Sequence, residues 1–389
     1  MNKPHIWIAS PASARNNNGN WQSARRWAQF LRTRYRVTIA QSWPEPAAAP
    51  STAGPSAAAT RATASGVAAT RRAAPAALAA PRPSRDGERP DLLIALHARR
   101  SAPALLAFAQ SFPGHPTILL LTGTDLYRDI QHDPQAQAAL ECATALVLLQ
   151  PAGLSELPPH LHAKTSVIYQ SAATLRPARS APATDAPTVQ ANAHAAAPLS
   201  KRRHADISMI GHLRDEKDPL TFMQAAAVVT APSARLLHIG GALEPELGAA
   251  AEAAMQATPR YHWLGALPRA VTRQRLKRSH AMAIASRMEG GANVIIEAVT
   301  SGVPVLASDI SGNRGMLGED YAGYFPLGDA AALARLIDRS INDPAWLATL
   351  RQQCAARAPL FAPEAERAAL LTLVDNLLHS THNPARNPT

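Results

Sequence analysis

Two glutamates, Glu289 and Glu297, bracket the small residues Gly290, Gly291, Ala292 and Asn293 and the apolar run Val294–Ile296. An acid at a strand end, followed by a small-residue turn that opens a helix, puts the second acid about 7 Å along the helix axis. The leading amides of Gly291, Ala292 and Asn293, at the positive end of that helix, suit a diphosphate. Glu289 can then accept hydrogen bonds from sugar hydroxyls on one side, and Glu297 from those of a ribose on the other. The plainer alternative is a strand-to-helix turn with two solvated glutamates. The small-residue turn and the strand-like Ser301–Ser308 that follows weigh against it.

A second cluster stands in Gly211-His212-Leu213-Arg214-Asp215-Glu216-Lys217-Asp218-Pro219, directly after the apolar run Asp206–Ile210. Lys217, with either His212 or Arg214, would set two cations beside those amides, where they stabilise a leaving diphosphate as a metal does elsewhere. The chain has no D-x-D motif, so neither a metal nor a cofactor is expected.

The first half of the chain offers polar and basic groups at the ends of apolar runs. Asn18, Gly19 and Asn20 lie between the first strand and the first helix, and Asn20 also fits a helix cap. His97, Arg99 and Arg100 follow one strand; Thr122, Thr124, Asp125 and Arg128 follow another. His97 also suits a satisfied structural histidine, and the arginines suit solvated surface charge. Lys164, opening a further strand, is expected to point into the same cleft.

These groups need a scaffold of parallel strands. Strands are expected at His5–Ala9, Tyr35–Ala40, Asp91–His97, Thr117–Thr122, Ala145–Leu149 and Thr165–Tyr169. A second set is expected at Asp206–Ile210, Arg235–Gly240, Tyr261–Leu264, Ala281–Ala285 and Val305–Ser308. Helical spacing falls between them at Asn20–Arg32 (Trp21, Ala24, Ala28 and Leu31 on one face), Ala102–Ser111, Gln135–Cys142, Pro219–Val229, Glu244–Met255, Arg269–Ser279 and Ala292–Ser301. The alternation implies two α/β domains, each a parallel sheet between helices, with a ligand cleft at the carboxyl ends of both sheets. The expected division is residues 1–172 and 205–361, then a helix over 362–380 that returns to the first domain, and a tail, 381–389. Residues 44–89 read as a flexible Ala/Pro/Arg-rich insertion and 173–204 as a disordered linker.

At 389 residues the chain exceeds the size of a single core. Of its net charge of +11, residues 44–89 carry +3 and 173–204 carry +4. The basic balance therefore belongs to low-complexity stretches without interleaved aromatics, which argues against specific nucleic-acid binding. Cys142 and Cys354 form neither a disulfide framework nor a zinc motif. With no 18-residue apolar run, no transmembrane segment is expected, and the chain reads as cytoplasmic.

The Glu289–Glu297 segment resembles the E-x7-E motif of glycosyltransferase family 4, retaining enzymes of GT-B fold. Gly211–Lys217 resembles that family's diphosphate-holding segment, with Lys217 in place and His212 where an arginine is usual. N-G-N-W-x-x-A-x-R-W-A, L-H-A-R-R-S-A, L-T-G-T-D-L-Y-R-D and Ser311–Phe325 are similar to SenB-type selenosugar synthases of selenoneine biosynthesis. That resemblance implies transfer of a sugar from UDP-N-acetylglucosamine or UDP-glucose to selenophosphate. Arg99, Arg100, Arg128 and Lys164 would receive the charged acceptor, and Lys217, Arg214, Glu289 and His97 would serve catalysis. A family 4 enzyme acting on a glycolipid or polysaccharide alcohol is the competing expectation. The paired Trp21/Trp27 and Arg25/Arg26 of the first helix keep that expectation open.

Overall fold

The computed structural model describes residues 3–12, 19–43, 89–172 and 204–382. Residues 44–88 of the insertion expected over 44–89, residues 173–203 of the linker expected over 173–204, Asn18 and the last seven residues lie outside the described residues.

The first sheet is built from β1 (His5–Ala9), β2 (Arg36–Ala40), β3 (Leu92–Leu96), β4 (Thr117–Leu120), β5 (Ala145–Leu148) and β6 (Thr165–Val167). All pair in parallel, in the order β2-β1-β3-β4-β5-β6. HIWIA and LLIAL are buried at every position, as strands covered on both faces must be. Helices α1 (Gly19–Leu31), α2 (Ala98–Ser111), α3 (Ile130–His132) and α4 (Pro134–Cys142) accompany it. Pro134 at N1 and the Asp133 carboxylate accepting from Ala136 N–H open α4.

The second sheet holds β7 (Ala205–Ile210), β8 (Ala234–Ile239), β9 (Tyr261–Trp263), β10 (Ala281–Ile284), β11 (Val305–Ser308) and β12 (Tyr324–Phe325). It is also parallel, in the order β12-β11-β10-β7-β8-β9. Its helices are α5 (Pro219–Val228), α6 (Pro245–Ala257), α7 (Arg269–Arg278), α8 (Asn293–Val299), α9 (Ser311–Leu317), α10 (Ala330–Asn342) and α11 (Pro344–Arg357).

Strand order locates the binding crevices. In an open parallel sheet the crevice opens at the carboxyl ends of two adjacent strands whose connections leave in opposite directions. Here those pairs are β1/β3 in the first sheet and β10/β7 in the second. The segments leaving them carry Gly19, His97, Gly211–Lys217 and Glu289–Asn293.

Helix α12 (Pro363–His382) crosses back to the first sheet. Leu370, Leu371, Val374 and Leu378 join Ile6, Ile8, Trp27 and Leu31 in one buried cluster. Each such side chain contributes about 1.5–3 kcal/mol on burial. The Glu366 carboxylate, 1% exposed, receives Arg26 Nε at 2.7 Å, Trp27 Nε1 at 2.8 Å and the Ser171 N–H at 2.7 Å. Trp27, not Trp21, is therefore the wholly buried tryptophan of α1. Arg26 and Trp27 are engaged by α12 rather than turned to a membrane surface. Among the described residues no helix is long and apolar enough to cross a membrane.

Candidate functional site

Glu289 and Lys217 meet at the β10/β7 crevice. The Lys217 ammonium donates to Glu289 Oε1, which also accepts from Ser286 Oγ at 2.6 Å. Both side chains are largely buried, 18% and 10% exposed. Asp218, in the left-handed region at φ 46°, turns the chain from Lys217 into α5, and its carboxylate accepts from Thr221 Oγ1 at 2.7 Å. Arg287 N–H donates to the Glu216 carbonyl at 3.0 Å, tying the two segments together.

The Lys217 side chain packs on Gly211, with Cγ 3.5 Å from where a Cβ would stand. His212 Nδ1 accepts from Gly241 N–H at 3.0 Å, so its outward nitrogen is Nε2. Arg214 is 40% exposed and lies 3.8 Å from Glu216. Glu216 lies equally far from Arg128 of the first domain, so a carboxylate sits between cations of both domains.

Glu297, inside α8 and buried, accepts from Arg269 Nη2 at 2.9 Å, with Arg273 Nε at 3.7 Å. Arg269 also donates to Gln22 Oε1 of α1 at 2.7 Å, so one guanidinium spans both domains. Nothing local in the sequence marks Arg269 as a partner of Glu297.

Gly290 and Gly291 lie against the first domain. A Cβ on Gly290 would strike the Thr122 carbonyl, and one on Gly291 would stand 2.6 Å from Leu149 Cβ. Gly123, at φ 143°, faces Gly290 from the other side. Ala292 is buried ahead of α8, and Asn293 reaches toward Gly19, its Nδ2 3.8 Å from a Cβ built there. Tyr127, Gln150 and Gly315 extend the seam, with Gln150 Nε2 donating to Tyr127 Oη at 2.9 Å.

In the first domain Asp125 is wholly buried. Its Oδ1 accepts from Thr122 N–H, Thr122 Oγ1 and Gly123 N–H, and its Oδ2 from Ala98 N–H, at 2.8–3.1 Å. It joins the two strand-end segments and holds them together. A π-helical turn, Asp125–Asp129, brings Asp129 beside Arg99 (3.0 Å) and Arg128 (3.3 Å). Both arginines are nearly half exposed.

His97 has φ 75°, unusual for a residue with a Cβ. It caps α2, Nδ1 accepting from Arg100 N–H at 3.4 Å, so the proton resides on Nε2, 3.2 Å from Thr124 Oγ1. Burial is the main cause that lowers its pKa; Asp125 opposes this. The imidazole is thus held neutral. Arg100 is exposed on α2.

Two expectations need correction. Lys164 is not brought to the cleft: its ammonium donates to the Glu141 and Ala143 carbonyls at 2.9 Å, at the amino end of β6. A residue that opens a parallel strand stands at the edge opposite the crevice. Asn20 lies inside the first turn of α1, which begins at Gly19, rather than ahead of it.

Among the described residues no group of three His, Cys, Asp or Glu side chains is placed to hold a metal ion.

Residues 192–361 match the family model for glycosyl transferases group 1. Over those residues the second half of the chain is similar to that family's domain. Its Lys217–Glu289 pair and Glu297 all fall within the match. Solved structures extend the likeness over the whole chain. HepE of Anabaena, in complex with UDP and glucose, superposes with a TM-score of 0.65 at 14% identity, covering 96% of this chain and all of its own. Sucrose-phosphate synthase of Thermosynechococcus elongatus gives 0.66 at 16% identity, with 97% and 100% covered. The pneumococcal O-GlcNAc transferase GtfA, with UDP and GlcNAc, gives 0.55 at 15%, with 74% and 57% covered. No curated protein matches in sequence. The two parallel sheets with their helices therefore form a GT-B fold, two Rossmann-like domains facing each other across a cleft.

Proposed function

We propose that this protein transfers a hexose or N-acetylhexosamine from a UDP-sugar, such as UDP-N-acetylglucosamine or UDP-glucose, to selenophosphate. The anomeric C–O bond to UDP breaks and a C–Se bond forms. Water then takes the phosphoryl group from selenium, leaving a 1-selenosugar, UDP and phosphate. Nucleotide sugar and reduced selenium donor both place the reaction in the cytoplasm.

The observation that carries the reading is the Lys217–Glu289 contact at the β10/β7 crevice of a domain similar to those of group 1 glycosyltransferases. In the reaction Lys217 exchanges part of its contact with Glu289 for the diphosphate, whose growing charge it stabilises without a metal ion. The leading amides of α8 add to that charge stabilisation. Glu289, still held by Ser286, turns its second oxygen to sugar hydroxyls. Glu297 takes the ribose, and the diphosphate's second partner is either Arg214, as a cation, or His212 Nε2–H, as a neutral donor.

Selenophosphate enters from the first domain. A small tetrahedral anion explains why Arg99 and Arg128 stand together beside Asp129, because guanidinium groups offer fixed pairs of donors to such oxyanions. Selenium is already anionic, so neutral His97 need not act as a base. It orients Thr124 beside the acceptor.

The test is incubation with a panel of UDP-sugars and selenophosphate, thiophosphate or water, read by mass spectrometry. The expected product contains selenium and one hexose or hexosamine. Turnover only with an alcohol acceptor would assign the enzyme to glycolipid or polysaccharide synthesis instead.

A further inference from the structure

His238, on β8, is wholly buried beneath the Gly211–Lys217 turn and belongs to none of the groups assigned above. Its two ring nitrogens have different partners. Nε2 lies 3.2 Å from the Gly211 carbonyl, and Nδ1 lies 3.0 Å from Tyr261 Oη. A carbonyl only accepts, so Nε2 carries the proton and Nδ1 accepts from the tyrosine hydroxyl. Burial, which outweighs the Gly211 bond, pushes the imidazole pKa down to about 4, so this neutral tautomer persists across the physiological range. Phe222 and Tyr261 close around the ring.

The relay ends on a peptide rather than a side chain. A trans peptide carries its C=O and N–H on opposite edges of one plane. With the Gly211 oxygen turned inward to His238, the His212 N–H is turned outward at the carboxyl end of β7. Gly240 presses on the same peptide: a Cβ there would collide with the Gly211 carbonyl and stand 2.8 Å from His212 N. The plane is thus held by a donor at its oxygen and by backbone against its face.

We infer that His238 is a positioning residue, which with Tyr261 locks the Gly211–His212 peptide so that the His212 amide serves as a donor to the diphosphate of the bound nucleotide. This rests on the nucleotide-sugar reading of the same crevice. The amide adds to Lys217 a donor of fixed direction, which needs no reorganisation as charge grows on the leaving group.

The experiment compares the affinities of UDP and uridine in the full-length protein by calorimetry. Uridine reports the base and ribose contacts alone, so the ratio of the two affinities isolates the diphosphate. His238→Met removes the ring donor and should reduce that ratio at least about tenfold, the effect of losing one hydrogen bond to a charged group. His238→Gln, which can return an amide donor to the Gly211 oxygen, should restore the ratio to within about threefold of wild type. Tyr261→Phe, which leaves Nε2 able to donate, should lose less than His238→Met. An unchanged ratio in a folded His238→Met protein overturns the inference. Should that variant not fold, His238→Gln decides: a ratio lowered tenfold with the donor restored overturns it equally. Wild-type protein that takes up uridine but gains nothing from the diphosphate overturns the donor reading and this inference together, whereas a wild-type gain with no variant effect overturns this inference alone.

Discussion

Gly290 approaches Thr122 so closely that no side chain fits between them: a Cβ on Gly290 would collide with the Thr122 carbonyl and stand 2.7 Å from Gly123 N. The contact joins the turn that carries Glu289 to the segment that Asp125 holds in place. The glycines of the small-residue turn thus set how near the two domains come, besides leaving amides open toward the crevice.

Gly290→Ala should therefore impair transfer without unfolding the protein. Gly290 lacks the positive φ that would add backbone strain, so the cost falls on the seam. Displacing one reactant-bearing domain by even part of an ångström should lower kcat/KM by about 10–100-fold. Steady-state kinetics alongside thermal unfolding checks this; a large loss of Tm with the same kcat/KM per folded molecule would contradict it.

Lys217→Met should lower kcat by about 10²–10³-fold, the usual cost of removing a group that meets charge on a leaving oxyanion. Acceptor KM should change little, because the expected acceptor arginines lie on other segments. Donor and acceptor saturation curves separate the two effects.

The buried histidines give a pH dependence of known sign. His238 has a folded pKa of about 4, below the ordinary value of 6.5, so the unfolded chain binds more protons between these limits. Its neutral form contributes fully above pH 6.5, and that stability is lost as pH falls through 6.5 toward 4, roughly 3 kcal/mol in all. His97 and His280 are shifted in the same direction by burial. Denaturant unfolding from pH 7.5 to 4.5 should show falling stability, and His238→Gln should make the slope shallower.

Glu366→Ala should destabilise the protein by about 3–5 kcal/mol, because Arg26, Trp27 Nε1 and Ser171 N–H lose a shared buried acceptor. Chemical denaturation measures it. The loss should also release α12 from α1, visible as faster amide exchange in both helices.

The two-sheet architecture was legible because parallel strands buried on both faces, such as Leu92–Leu96 and Val305–Ser308, are unbroken apolar runs bounded by turns. Helix α9 was not, since Gly312 and Gly315 interrupt it. Those glycines are required by close packing on Glu289 and Gln150, a tertiary demand invisible in local sequence. Helices α10 and α11 did leave a signal, in the caps Asp329 and Asp343 and in Pro344 at N1. At the site, Glu289, Glu297 and Lys217 stood out by spacing. Arg269, Asp129 and His238 did not, because each meets a partner about 30 residues away in sequence, and Ser286 did not, because a lone serine three residues before Glu289 carries no signal of its own. Lys164 misled for a geometric reason: its charge and its place at the start of a strand were both plain, but a residue that opens a parallel strand stands at the edge away from the cleft.

The central claim is that the β10/β7 crevice holds a nucleoside diphosphate between Lys217 and Glu297, and calorimetric titration of the intact protein with UDP tests it most directly. The account predicts saturable binding at one site per chain, weakened at least about tenfold by Glu297→Ala as ribose hydroxyls lose a charged acceptor. A flat titration of folded protein, or equal affinity in Glu297→Ala, would contradict it.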